Sequence, residues 1–146
     1  MSFTTWHNYG YGLRTDNITI KSVEDLAELL RLAPEFEKEM QLYFEDCDIE
    51  EPEIDDYFEF QEYDNHGLAS LMKMVLKETE QVEFTDCGDY DGLQYLMYQP
   101  SYPWELSERD LKLTEEKLEK MLKKYFSVIT DDEITPGYIE AEDGDL

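Results

Sequence analysis

Between Lys38 and Lys73 the chain has no lysine or arginine, and 11 of the 20 residues from Glu45 to Asp64 are acidic. Burying an unpaired carboxylate costs on the order of several kcal/mol, so this segment has to run over the surface of whatever fold the chain adopts. It is not a plain acidic run. Ile49, Ile54, Tyr57, Phe58, Phe60 and Tyr63 are threaded through it and can pin it to a core. The whole chain shares the bias, with 12 basic against 37 acidic residues and a formal net charge of -25. That balance excludes nucleic-acid binding through a basic face. The 14% aromatic content argues against disorder, which acidic chains otherwise favour. At 146 residues the chain is the size of one domain and can bury roughly two-thirds of its unfolded surface.

The elements read as a mixed α+β order. Residues 3–13, rich in β-formers and alternating, predict an opening strand in which Gly10 and Gly12 permit a bend. Ser22 followed by Asp25 resembles a capping box, and Val23, Leu26, Ala27 and Leu30 recur at helical spacing, predicting a helix over 23–32. Pro34 suits the first position of a second helix, with Phe36, Met40, Tyr43 and Phe44 on one face, fading near Asp46. Leu68, Leu71, Met72, Val75 and Leu76 mark a third, with Asp64 or Asn65 as its cap. Val82–Thr85 and Leu93–Tyr98, flanking the turn-rich 88–92, predict a β-hairpin near 82–98 that Pro100 and Pro103 close. Thr114 can cap a last helix bearing Leu118, Met121, Leu122, Tyr125, Phe126 and Ile129. The expected fold is a small antiparallel sheet, made of the first strand and the hairpin, packed against three to four helices. A single domain over 1–139 is expected, followed by an acidic flexible tail over 140–146.

Several functions have little to stand on. Neither a leader peptide nor a run of about 18 apolar residues is present, which predicts a cytoplasmic chain without membrane association. Cys47 and Cys87 are too few and too far apart for a zinc site or a disulfide framework, and their acidic neighbours disfavour a thiolate. Asp86, Asp89, Asp91 and Gly92 crowd one turn, yet alignment of Gly92 with the invariant glycine of an EF-hand loop puts Cys87 and Tyr98 at the first and last ligand positions. A hairpin turn explains the same residues. With only His7 and His66, and no nucleophile elbow, phosphate loop or zinc-binding helix, no catalytic residue, metal or cofactor is expected. His7 reads as a packing group and His66 as part of a helix entrance.

What remains is a kind of partner. Carboxylates fixed on a surface can occupy a groove lined by Arg and Lys, because Arg forks match carboxylate and phosphate by the same bidentate geometry. Exposed aromatics can fill places where bases would stack. The expected contact residues are therefore Glu45, Asp46, Asp48, Glu50, Glu51, Glu53, Asp55, Asp56, Glu59, Glu62 and Asp64, with Tyr57 and Tyr63 as aromatic anchors. The plainer alternative is a solvated acidic loop that keeps the chain soluble.

A small, strongly acidic, aromatic-rich chain of this size resembles the DNA-mimic proteins that phages and conjugative elements use against host restriction and CRISPR nucleases. The stretches Trp6-His7-Asn8-Tyr9-Gly10-Tyr11-Gly12 and Tyr98-Gln99-Pro100-Ser101-Tyr102-Pro103-Trp104 look like those of proteins of bacterial mobile elements. The resemblance implies a non-enzymatic inhibitor that occupies the nucleic-acid groove of a basic partner, a nuclease, as a monomer or a homodimer. An immunity or adaptor module that binds a basic protein without imitating DNA is the alternative. An enzyme would need convergent carboxylates in a pocket.

Overall fold

The computed structural model describes residues 7–60, 66–88, 93–99 and 114–142. In chain order these form β1 (His7–Arg14), α1 (Val23–Arg31), α2 (Pro34–Asp46), a 3-10 helix (Ile54–Phe58), α3 (Leu68–Glu80), β2 (Thr85–Gly88), β3 (Gln94–Tyr98), α4 (Glu115–Ile129) and β4 (Gly137–Glu142). The fold is α+β. One antiparallel sheet in the order β2-β3-β1-β4 is packed against the helices.

Local chemistry sets most helix ends. The Ser22 hydroxyl accepts from the Asp25 amide at 3.3 Å and so caps the start of α1. Its own proton goes to the Asp25 carboxylate at 3.0 Å, in place of the backbone bond of a full capping box. Thr114 accepts from the Lys117 amide at 3.2 Å and starts α4. In α2, Pro34 opens the helix after Ala33, which has no side chain to cap with. The carboxylate of Glu78, on α3, does so instead, accepting from the amides of Glu35 (3.1 Å) and Phe36 (2.8 Å). The cap of α3 is Gly67, at φ +54°, where an L side chain would be strained. The predicted caps Asp64 and Asn65 lie outside the described residues.

The main core fills one face of the sheet. Leu26, Leu29 and Leu30 of α1, Phe36 and Met40 of α2, Leu71, Met72, Val75 and Leu76 of α3, and Leu122, Phe126 and Ile129 of α4 close over Tyr11, Leu13 and Leu96. On the opposite face Met97 and Cys87 are buried together, with Tyr95 and Ile139 against them. The glycines of β1 explain the shape. A Cβ on Gly12 would stand 1.9 Å from the Leu96 carbonyl oxygen, and one on Gly10 would stand 2.5 Å from that of Tyr98. Strands without side chains there let β1 and β3 lie backbone against backbone, in a sheet twisted enough that its outer strands β2 and β4 approach one another.

Two expectations shift. The hairpin's first arm is Thr85–Gly88 and not 82–85: Val82 and Phe84 are buried, but the ladder to β3 begins at Thr85 opposite Met97. Alternation reports which side chains are buried, not where hydrogen bonding starts. Residues 140–142, expected to begin a flexible tail, pair with His7–Tyr9 in β4, and the rest of that expected tail lies outside the described residues. Edge strands tolerate charged residues, so acidity there did not exclude a strand. Residues 3–6 of the predicted opening strand lie outside the described residues.

Candidate functional site

The acidic segment is laid over three successive structures: the end of α2, the turn 47–53 and the 3-10 helix with Glu59. Glu45, Asp46, Asp48, Glu50, Glu51, Glu53, Asp55 and Glu59 are all exposed. Asp56 is half-buried because its Oδ2 accepts from the Glu53 amide at 2.7 Å and starts the 3-10 helix. Glu62, Tyr63 and Asp64 lie outside the described residues. Tyr57, expected at the surface as an aromatic anchor, is buried at 7% exposure against Phe44, edge to face at 5.1 Å. Phe60 stands edge-on to Phe36 and Tyr43, and the Tyr43 hydroxyl donates to the Glu59 carbonyl at 2.9 Å. The aromatics therefore fasten the segment from beneath, leaving its carboxylates outward.

Asp56 supports the backbone by capping the 3-10 helix, but the acids at the end of α2 do not. The C-terminal end of a helix carries partial negative charge and favours cations, yet the last turn of α2 bears Glu45 and Asp46 and no base. Beyond it the Ile49 amide donates to the Phe44 carbonyl at 2.8 Å and the Asp48 amide to that of Glu45 at 3.2 Å, closing a Schellman turn. The left-handed position of that turn, normally glycine, is Asp48 at φ +56°. Among the described residues no ion pair reaches the 45–59 segment. Lys21, Lys77, Lys120, Lys123 and Lys124 pair with acids elsewhere.

A second charged centre lies where α3 meets β2, and it revises the reading of Asp86. The Asp86 side chain is 1% exposed and is engaged by residues at the start of α3. Its Oδ2 receives the Ser70 hydroxyl at 2.7 Å and lies 2.9 Å from His66 Nδ1. Lys73 Nζ stands 3.1 Å from Oδ1, an ion contact off the line of a hydrogen bond, so that oxygen is compensated by charge and not by a formal bond. Burial works against the charged form, but His66, Ser70 and Lys73 together outweigh it and hold the carboxyl far below the usual carboxylate range. Serine, histidine and aspartate meet here without forming a nucleophile. Ser70 donates to Asp86 and accepts from the His66 amide at 3.0 Å, so no base takes its proton. The centre locks the entrance of α3, where His66 was expected, to β2. Its one legible signal was Ser70, a polar residue on an apolar helical face.

Among the described residues no group of three or more His, Cys, Asp or Glu side chains is placed to hold a metal ion. No helix among them is long and apolar enough to cross a membrane. Comparison with protein-family models, curated proteins and solved structures gives no match, so no residue role comes to this chain from a relative.

Proposed function

We propose that this chain is a non-enzymatic inhibitor whose acidic face, residues 45–59, occupies the nucleic-acid-binding groove of a host defence nuclease, a CRISPR effector or a restriction enzyme. The observation that carries the reading is a row of exposed carboxylates without ion-pair partners among the described residues, of which Glu45, Asp46 and Asp48 stand where the fold itself would favour a cation or a glycine. A surface acid needed only for solubility could sit anywhere. Acids that oppose a helix dipole and occupy a left-handed turn make sense if an external cation compensates them. The groove's Arg and Lys supply that cation, and association is accelerated by the field and weakened by salt. No cofactor takes part, and the site of action is cytoplasmic.

The test is capture from bacterial lysate on the immobilised protein, with elution by duplex DNA and, separately, by salt. A nuclease or its DNA-reading subunit released by DNA is the expected result. A partner released by salt but indifferent to DNA would replace mimicry with a plain interaction module, and an empty column would return the acids to solubility. The triple reversal Glu50→Lys, Glu51→Lys and Asp55→Lys should abolish capture while leaving the circular dichroism spectrum unchanged. Asp56 is left out of that set because it caps the 3-10 helix.

A further inference from the structure

Between the loop 15–20 and the loop 130–136 lies a cleft of about 700 Å³, within the size range of small-molecule sites. Its walls are stitched together across more than a hundred residues of chain. Thr130 donates to the Thr19 carbonyl at 2.6 Å, the Thr19 amide donates to Asp132 Oδ2 at 2.8 Å, and the Lys21 amide donates to the Ile129 carbonyl at 2.8 Å. Tyr138 of β4 lines one side and is 57% exposed, the most open large apolar side chain in the described structure. Its ring is fixed in place, edge-on to Tyr11 at 5.5 Å with its hydroxyl donating to Glu115 at 2.7 Å.

From this cleft we infer a binding site for a small organic cation, an alkyl guanidinium or alkylammonium group. Ile18, half-buried against the core, gives the cleft one apolar wall, and Ile134 lies in the core beneath it. Asp132 and Glu133 bring two exposed carboxylates to the same space. Arg14 also lines it, but its guanidinium is engaged by Asp16, with Nε at 2.8 Å from both carboxylate oxygens and Nη2 at 2.6 Å from one. The balance of charge is negative, which disfavours phosphates and carboxylates as ligands. A cation with a short stem meets carboxylates at its head, with Ile18 and Tyr138 on the walls beside it. The walls are preformed, so binding has little ordering cost to overcome. None of these residues belongs to the 45–59 face, and the inference stands apart from the proposed inhibition.

The test is an amide NMR titration of the full chain at physiological salt with two probes, agmatine for a free amine and N-acetyl-arginine methylamide for a side chain in a peptide. Saturable shifts confined to Thr19, Ile134, Tyr138 and their neighbours are expected, and the tighter probe identifies the source of the cation. Glu133→Gln, an exposed loop substitution, and Tyr138→Ala should each weaken binding at least tenfold. Glu50→Gln with Glu51→Gln should leave it unchanged. Shifts that spread without saturation over the whole acidic surface, or affinity indifferent to Glu133 and Tyr138, would overturn the site.

Discussion

Asp86 shows how much one buried carboxylate depends on its neighbours. In the unfolded chain an aspartate titrates near pH 3.9; in the fold His66, Ser70 and Lys73 hold its proton affinity lower despite burial. On acidification the unfolded chain therefore takes up the proton first. The stabilisation is complete above about pH 4 and is lost as pH falls below it. Urea midpoints at pH 7 and pH 3 should differ strongly in the native protein, and Asp86→Asn should shrink that difference. An equally steep loss in the variant would place the acid sensitivity elsewhere. Asp86→Ala, which takes the acceptor from the Ser70 hydroxyl and the partner from His66 Nδ1, should cost about 1–3 kcal/mol. At Asp48 the expected sign is opposite. Glycine removes both the strain of a left-handed side chain and a negative charge at a helix end, so Asp48→Gly should stabilise the fold by about 1 kcal/mol, read as a higher urea midpoint with an unchanged slope.

At the scale of elements, the helix ends divide into those written locally and those completed from afar. Ser22 and Thr114 lie within three residues of the amides they cap, so both starts were legible. The start of α2 was legible from Pro34, but its cap was not, because Glu78 is 43 residues from Glu35. Glu78→Ala should therefore cost about 1 kcal/mol and speed hydrogen exchange at the Glu35 and Phe36 amides. Glu78→Gln, keeping one acceptor, should cost less. Unprotected amides in the native protein would remove the cap from the account. β4 escaped the sequence for a related reason: Tyr138-Ile139-Glu140-Ala141-Glu142 becomes a strand only because His7–Gly12 offers a ladder. By itself it reads as the start of an acidic tail.

The whole molecule carries its charge unevenly. On α4 the i, i+4 pairs Glu116 with Lys120 and Glu119 with Lys123 balance the surface, whereas the 45–59 segment has no such partner among the described residues. Mutual repulsion there should make the fold more stable as salt rises from low concentration to about 0.5 M, where the Debye length is only a few ångströms. The triple reversal at Glu50, Glu51 and Asp55 should reduce that salt increment. A melting temperature flat across the range would mean that the carboxylates do not feel one another. Most of the acidic face was readable, because a run of acids has to be exposed. Tyr57 was not, since an aromatic within such a run can turn either way, and Phe44 turned it inward.

The sequence by itself determined what depends on neighbours a few residues apart: the helical and strand periodicities, the caps at Ser22 and Thr114, and the exposure of a segment too charged to bury. Tertiary structure decided what depends on distant partners. It chose the sheet order, turned Asp86 from a turn residue into a buried anion held by α3, lent Glu78 to α2, and built the cleft from loops more than a hundred residues apart. Those outcomes follow from which surfaces meet when the core closes, and no local pattern encodes the meeting.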